Sequence, residues 1–196
     1  MLPINTRISK QAGFTLIELL IGLVLITILA LAISTAFDGS RSRAQALIDQ
    51  MGAVASAMAR QKNDTGCYLN SVEGLFNRNE GILAANNYCG QSFANTWNGP
   101  YLGRFETTEG KARLDTIADG ATLEIVRNTT AGVYNGNQYV LKASQIPNDI
   151  IKNALQECIK TDIPPSSVAN MTTKCDATLG DGGEVGDFYF TFDETR

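Results

Sequence analysis

The sequence predicts an α+β fold, in which a long N-terminal α-helix packs on a small antiparallel β-sheet. The helix is expected to be apolar in its first half and amphipathic in its second. About nineteen residues, Leu19 to Phe37, carry no charge, and this is long enough for a membrane-spanning helix at about 1.5 Å per residue. Helical spacing of apolar residues continues beyond this run, and short segments that alternate apolar and polar residues occur later in the chain.

The amphipathic half of the helix covers residues 38–62. Its apolar residues recur at three- and four-residue spacing: Ala44, Leu47, Ile48, Met51, Val54, Ala55 and Met58. One helix from Phe14 to about Gln61 would be roughly 70 Å long. Because the stripe must pack on something, we expect it to lie against the sheet, and Asn63–Gly66 should end the helix.

The remaining residues, 63–196, suit one compact head. Ala121–Arg127, Gln138–Ala143 and Asp187–Phe192 have the alternation or composition of strands, and Asn135-Gly136 is a tight-turn signal. Pro147–Lys160 has a helical apolar face, with proline suited to the first turn. We expect a sheet of three to five strands.

A loop region should connect the long helix to this sheet and extend to about Gly120. It is predicted to contain a short helix around Val72–Ala85. Trp97 and Tyr101, in the segment TWNGPYL, are expected to pack as aromatic side chains over the long helix, with a contact between subunits as the alternative.

Four cysteines, Cys67, Cys89, Cys158 and Cys175, contain no CxxC pair, which disfavours a zinc or thioredoxin-like site. An even number in an exported domain favours two disulfides, and three pairings are possible. Cys67–Cys89 and Cys158–Cys175 are favoured because each closes a loop of about twenty residues, which contributes on the order of 3 kcal/mol. Four reduced thiols are the alternative.

Composition excludes several kinds of catalysis. The chain has no histidine, so it lacks Ser-His-Asp and Cys-His catalysis and histidine-ligated metals. No acid pair has a recognisable motif around it, and we expect no cofactor and no enzymatic activity. The net charge of −4 and the absence of a long basic run give no sign of a dedicated nucleic-acid site.

The first residues of the chain differ from an ordinary secretory signal. Met1–Gly13 is short and polar, and its small residue, Gly13, precedes the apolar region instead of following it. Glu18 is a carboxylate inside the otherwise apolar run. Because a charge at bilayer depth costs up to roughly 2.5–3.5 kcal/mol, Glu18 calls for a partner and marks a functional position.

The segment Gly13-Phe14-Thr15-Leu16-Ile17-Glu18 resembles the processing site of type IV prepilins and their relatives. The alternative is a signal anchor with a chance glutamate. The resemblance implies a leader over 1–13, cleavage after Gly13, methylation of Phe14, and a membrane and filament-core segment over 14–37. It also implies a pilin fold, in which the apolar half of the helix protrudes, and an assembly role for Glu18, paired with the new amine of a neighbouring subunit.

The function implied is that of a structural subunit of a type IV pilus, for adhesion, motility, DNA uptake or conjugation. Its partners would be copies of itself, prepilin peptidase, the inner-membrane assembly machinery and, as a precursor, the membrane. The precursor would cross the inner membrane once, and the mature chain would lie in an extracellular pilus on the bacterial surface. A type II secretion pseudopilin or a minor pilin is the alternative.

Two features of the C-terminal part bear on that alternative. Cys158–Cys175 resembles the disulfide-bounded loop of type IV pilins, which major pseudopilins commonly lack. Those pseudopilins often hold Ca²⁺ near the C-terminus, and four acids of a glycine-rich loop are weak candidates for such a site: Asp176, Asp181, Glu184 and Asp187. A solvated acidic loop without metal is the favoured interpretation.

Overall fold

Helix α1 (Leu16–Ala36) forms the first of two compact units, 1–38 and 39–196, into which the chain divides. The structure is a computed structural model, and it describes residues 16–36, 39–129, 137–164 and 173–195. Large apolar side chains on α1 are more than half exposed at nearly consecutive positions: Ile17, Leu19, Leu20, Ile21, Leu23, Val24, Leu25 and Ile26. Within the ranges that the structure describes, no helix combines the length and hydropathy needed to cross a membrane.

Helix α2 (Gly39–Thr65) begins the second unit and carries the predicted apolar stripe. Its fully buried residues are Ala44, Leu47, Met51, Val54, Ala57, Met58 and Gln61. The helix ends four residues later than Gln61, the predicted end. Side-chain hydrogen bonds stabilise this additional turn, since the Gln61 amide donates to the Thr65 hydroxyl at 2.6 Å and to the carbonyl of Cys67 at 2.9 Å. Continuity between α1 and α2 depends on residues 37–38, which lie outside the described residues.

Six strands of the described part of the chain form one antiparallel sheet, in the order β1-β2-β3-β4-β6-β5. They are β1 (Thr107–Thr108), β2 (Lys111–Arg113), β3 (Thr122–Asn128), β4 (Asn137–Pro147), β5 (Cys175–Thr178) and β6 (Val185–Thr195). The expectation of three to five strands was too low, because β1, β2 and β5 are short strands without clear alternation. The predicted turn at Asn135-Gly136 lies outside the described residues.

Helix α4 (Asn148–Ile159) follows β4 without a loop, and it confirms the predicted helix to within one residue at each end. Pro147 is the last residue of the strand and also the N-cap of the helix. The helix buries Ile150, Ile151 and Leu155 in the same core as α2 and the sheet. Arg41 pairs with Glu157 at 2.9 Å, which ties α2 to α4.

Between α2 and the sheet, residues 66–106 form a connecting segment with little regular structure. The short helix predicted over Val72–Ala85 is replaced by 3-10 turns at Glu73–Leu75 and Ala84–Asn86 on either side of a one-turn helix, α3 (Arg78–Gly81). The described elements confirm an α+β arrangement, in which helices and an antiparallel sheet share one core.

Candidate functional site

Glu18 is the charged residue of α1, and it lies in the first helical turn with its side chain exposed. A carboxylate there interacts favourably with the positive end of the helix dipole, by about 0.3–1 kcal/mol when exposed. Gly13 and Phe14, the predicted cleavage and methylation positions, lie outside the described residues. Of the predicted N-terminal site residues, the structure therefore describes only Glu18, the candidate for a role in assembly.

Over residues 17–27, the part of α1 whose side-chain exposure the structure describes, the exposed apolar positions follow one another along the helix and therefore point in all directions around it. Each large apolar side chain left in water forgoes roughly 1.5–3 kcal/mol of burial free energy. Such a helix gains free energy in any apolar environment, whether lipid or a bundle of similar helices.

Two disulfides cross-link the head, and their pairing is the one that the loop lengths predicted. Cys67, just after α2, is bonded to Cys89, and the backbone of Tyr88 donates to the carbonyl of Tyr68 at 3.0 Å beside it. Cys158, in the last turns of α4, is bonded to Cys175 at the start of β5. The second disulfide closes the loop that resembles the one in pilins.

The four weak calcium candidates are in different environments. Asp176 is fully buried, Asp181 and Glu184 are exposed, and Asp187 lies 3.2 Å from the Lys142 ammonium. Burial alone would lower the pKa of Lys142, but the hydrogen bond and charge of Asp187 outweigh it and raise that pKa. Among the described residues, no three acidic or cysteine side chains come together as a metal site.

Trp97 and Tyr101 are buried and pack edge to face, with 5.5 Å between ring centroids. The Trp97 indole donates to the carbonyl of Gly74 at 3.0 Å, and the Tyr101 hydroxyl donates to Asp64 of α2 at 2.9 Å. Arg60 of α2 donates to the carbonyl of Tyr101 at 2.5 Å. The contacts of Tyr101 confirm the expectation that this side chain packs over the helix, whereas those of Trp97 join it to Tyr101 and to Gly74 of the connecting segment.

A groove of about 1050 Å³ lies next to Tyr101, whose chain neighbours Pro100 and Leu102 line it, and no pattern in the sequence predicted it. Phe76, Leu102 and Phe105 supply apolar side chains, while Arg78 and Arg104 are exposed at its surface. The available signal was the occurrence of Phe and Arg within two residues of each other in two loop segments, FNR and RF. That pattern is too short to indicate that folding brings the two segments together.

Comparison with known proteins concerns the N-terminus. The family model described as the prokaryotic N-terminal methylation motif matches residues 8–34, which include Gly13, Phe14, Glu18 and most of α1. No curated protein and no solved structure matches the chain. The chain therefore carries an N-terminal methylation motif of the prepilin type.

Proposed function

We propose that this chain is a structural subunit of a type IV pilus, cut after Gly13 by prepilin peptidase, methylated on Phe14 and assembled into a helical surface filament. The observation that carries the proposal is the exposed apolar surface of α1, directly behind the processing position of the methylation motif. In this role the chain is the substrate of processing, not an enzyme.

Two apolar environments in succession account for α1 in this proposal. The precursor keeps the helix in the inner membrane, and assembly transfers it to the core of a filament made of copies of the same helix. Since both environments exclude water, the burial of side chains such as Leu19 and Ile26 is retained during transfer. Packing against neighbouring helices then supplies the cohesion between subunits.

In this proposal, Glu18 determines the axial position at which a new subunit docks into the filament. Cleavage after Gly13 creates a positively charged amine on Phe14, one helical turn before Glu18. A charge without a partner in an apolar bundle is penalised by several kcal/mol, so a position that pairs Glu18 with the amine of a neighbouring subunit is favoured over other positions.

A type II secretion pseudopilin, or a minor pilin that primes or caps the fibre, is the second candidate, since it would carry the same N-terminal segment. The disulfide between Cys158 and Cys175 favours the pilin, because it closes a loop of the kind found in type IV pilins. The proposal places this loop on the filament surface.

Deletion of the gene, followed by electron microscopy of the cell surface and mass spectrometry of sheared fibres, tests the proposal. We expect fibres to disappear and to return with the wild-type gene, and this chain to be the dominant component of the sheared material. Gly13→Val should leave uncleaved precursor in the membrane and no fibres, whereas Ala12→Val, the same kind of change one residue earlier, should be processed. Unchanged fibres after deletion would overturn the proposal, and a trace amount of the chain in normal fibres would favour the minor pilin.

A further inference from the structure

The groove next to Tyr101 carries both signs of charge in equal number. Six charged side chains lie in it or directly beside it: Arg78, Arg104, Arg113, Glu73, Glu106 and Asp115. Three guanidinium groups thus balance three carboxylates. A groove without net charge has no Coulombic preference for an anionic or a cationic ligand, so its charge complement is a neutral molecule.

Phe76 gives the groove an aromatic surface. Its side chain is half-buried, yet within the described ranges it packs neither against the hydrophobic core of the head nor against another aromatic ring. Phe105, on the second segment that lines the groove, is also half-buried but does pack against that core. Because the fold does not use the ring of Phe76 for its own core, that ring is available to stack on an apolar face of a ligand.

The arginines of the groove keep unused hydrogen-bond donors. Arg104 is exposed and has no hydrogen bond or ion pair with any residue that the structure describes. Arg78 uses one donor, to the carbonyl of Ala94 at 3.0 Å. A guanidinium group carries five N–H donors in one plane, so most of the donors of both side chains remain open to a ligand.

Glu73 supplies acceptors in the same groove. Its Oε1 accepts from the Asn77 amide at 3.0 Å, and its Oε2 accepts from the Thr107 hydroxyl at 3.4 Å. These two bonds hold the carboxylate in place, and each of its oxygens can accept a further hydrogen bond. The groove therefore offers fixed donors and fixed acceptors together with an aromatic ring.

This combination matches the chemistry of a carbohydrate. A saccharide ring presents an apolar C–H face that stacks on an aromatic ring, and each of its hydroxyls both donates and accepts hydrogen bonds. Planar guanidinium and carboxylate groups can bond two adjacent hydroxyls at once. The volume of about 1050 Å³ is at the upper end of the roughly 300–1,000 Å³ that ligand pockets occupy, which is room for more than one sugar ring. A purely apolar ligand would leave the polar groups of the groove without partners.

We infer that this groove binds a neutral oligosaccharide, with one sugar ring stacked on Phe76 and its hydroxyls held by Arg78, Arg104 and Glu73. This activity goes beyond the proposed function and does not depend on it, because the groove belongs to the head and is lined by residues of one chain.

Binding of sugars to the purified full-length chain, in a detergent without a sugar headgroup, tests the inference. The probes are an array of neutral oligosaccharides of hexoses and N-acetylhexosamines, followed by calorimetry with the strongest of them. We expect a dissociation constant of about 1 mM or tighter for at least one probe. Since no ion pair forms, this constant should change less than about twofold between roughly 0.05 M and 0.5 M salt. No binding to any neutral probe, or stronger binding of a sulfated oligosaccharide, would overturn the inference.

Substitution of Phe76 tests the stacking contact. Phe76→Leu keeps an apolar side chain but removes the aromatic face, and it should weaken binding about threefold to tenfold. Phe76→Tyr keeps the ring and should bind within about twofold of wild type. Equal affinities in the Leu and Tyr variants would show that the sugar does not stack on this ring, and would overturn the inference.

Substitution of Arg104 tests the polar contact. Arg104→Gln should weaken binding about tenfold, and it should leave the thermal midpoint of the chain unchanged because Arg104 has no described partner. Arg43→Gln, the same change at an exposed position on α2, should leave both quantities unchanged. Wild-type affinity in Arg104→Gln, or an equal loss in Arg43→Gln, would place the sugar elsewhere and overturn the inference. None of these outcomes bears on whether the chain forms fibres, so the proposed function stands or falls separately.

Discussion

Lys62 of α2 and Asp193 of β6 form an ion pair across 131 positions of the sequence, with 2.5 Å between Nζ and Oδ2. The Tyr68 hydroxyl donates to the same carboxylate oxygen at 2.7 Å, and the Lys62 ammonium also lies 4.5 Å from the centroid of the Tyr68 ring. This cluster joins the end of the helix to the last strand of the sheet, beside the disulfide of Cys67.

The pH dependence of stability should reveal this cluster. Burial alone would raise the pKa of Asp193, but hydrogen bonds from Lys62 and Tyr68 outweigh it and hold that pKa below its ordinary 3.8. Because the pKa is lower in the folded state, the stabilisation is present above pH 3.8 and is lost as the pH falls through the folded value. We expect Asp193→Asn to reduce the free energy of unfolding by about 1 kcal/mol at pH 7, and by much less near pH 2, in urea unfolding of the full chain in detergent.

The exposed residue Asp119 provides the control, because Asp119→Asn removes the same charge without burial. It should leave the free energy of unfolding within about 0.5 kcal/mol of wild type. An equal loss for Asp193→Asn at both pH values would mean that the charge of Asp193 does not stabilise the fold.

Asp176 should show the opposite dependence. Its Oδ1 accepts from the backbone of Ala177 at 2.7 Å, whereas its buried Oδ2 has no hydrogen-bond partner among the described residues. Burial raises the pKa of Asp176, and the bond from Ala177 offsets this only in part. With a higher pKa in the folded state, stability decreases as the pH rises above the unfolded value. Asp176→Asn is therefore expected to raise the free energy of unfolding by on the order of 1 kcal/mol at pH 7, with little change near pH 2. A loss of stability at pH 7 would contradict this account.

Glycine substitutions at two positions should have opposite effects. A Cβ at Gly81 would overlap the Trp97 indole and the carbonyl oxygen of Gly74, while one at Gly52, in α2, would meet nothing within 4 Å. Gly81→Ala is expected to lower the free energy of unfolding by about 1–3 kcal/mol. Gly52→Ala should raise it by about 0.5–1 kcal/mol, since alanine favours the helix. Equal effects in thermal unfolding would mean that Trp97 does not fix the loop as described.

The parts of the fold that sequence periodicity predicted are those with enough repeats of an apolar pattern. The stripe of α2, α4 and the central parts of β3, β4 and β6 fall in this group. β5 has four residues, of which three in succession are buried, including Cys175 and Asp176, so it shows no alternation. β4 continues beyond Ala143, the predicted end of the strand. The sequence did not predict this extension, because a bulge at Gln145, with a φ of 63°, shifts the apolar alternation by one position.

Functional residues were predictable only where a local sequence pattern marks them. Glu18 was recognisable because a charge is conspicuous in an apolar run, and the cysteine pairing followed from loop lengths. The groove was not predictable, because its lining residues Arg78 and Arg104 lie on separate loop segments that come together only in the folded chain. Asp193 gave no signal either, since its partners Lys62 and Tyr68 are distant in sequence.

Substitution of Glu18 tests its proposed role in docking. Glu18→Gln and Glu18→Ala remove the charge that would pair with the Phe14 amine, and we expect each to reduce surface fibres at least tenfold, as scored by electron microscopy. Glu18→Asp keeps the charge and should retain a substantial fraction of fibres. Fibres of normal length and number in both uncharged variants would show that the carboxylate does not guide assembly.

The mass of the N-terminal peptide of the native protein tests the central claim most directly. The account predicts that the mature chain begins at Phe14 and carries one methyl group on its new amine. A native chain that retains residues 1–13, or begins at any residue other than Phe14, would contradict it.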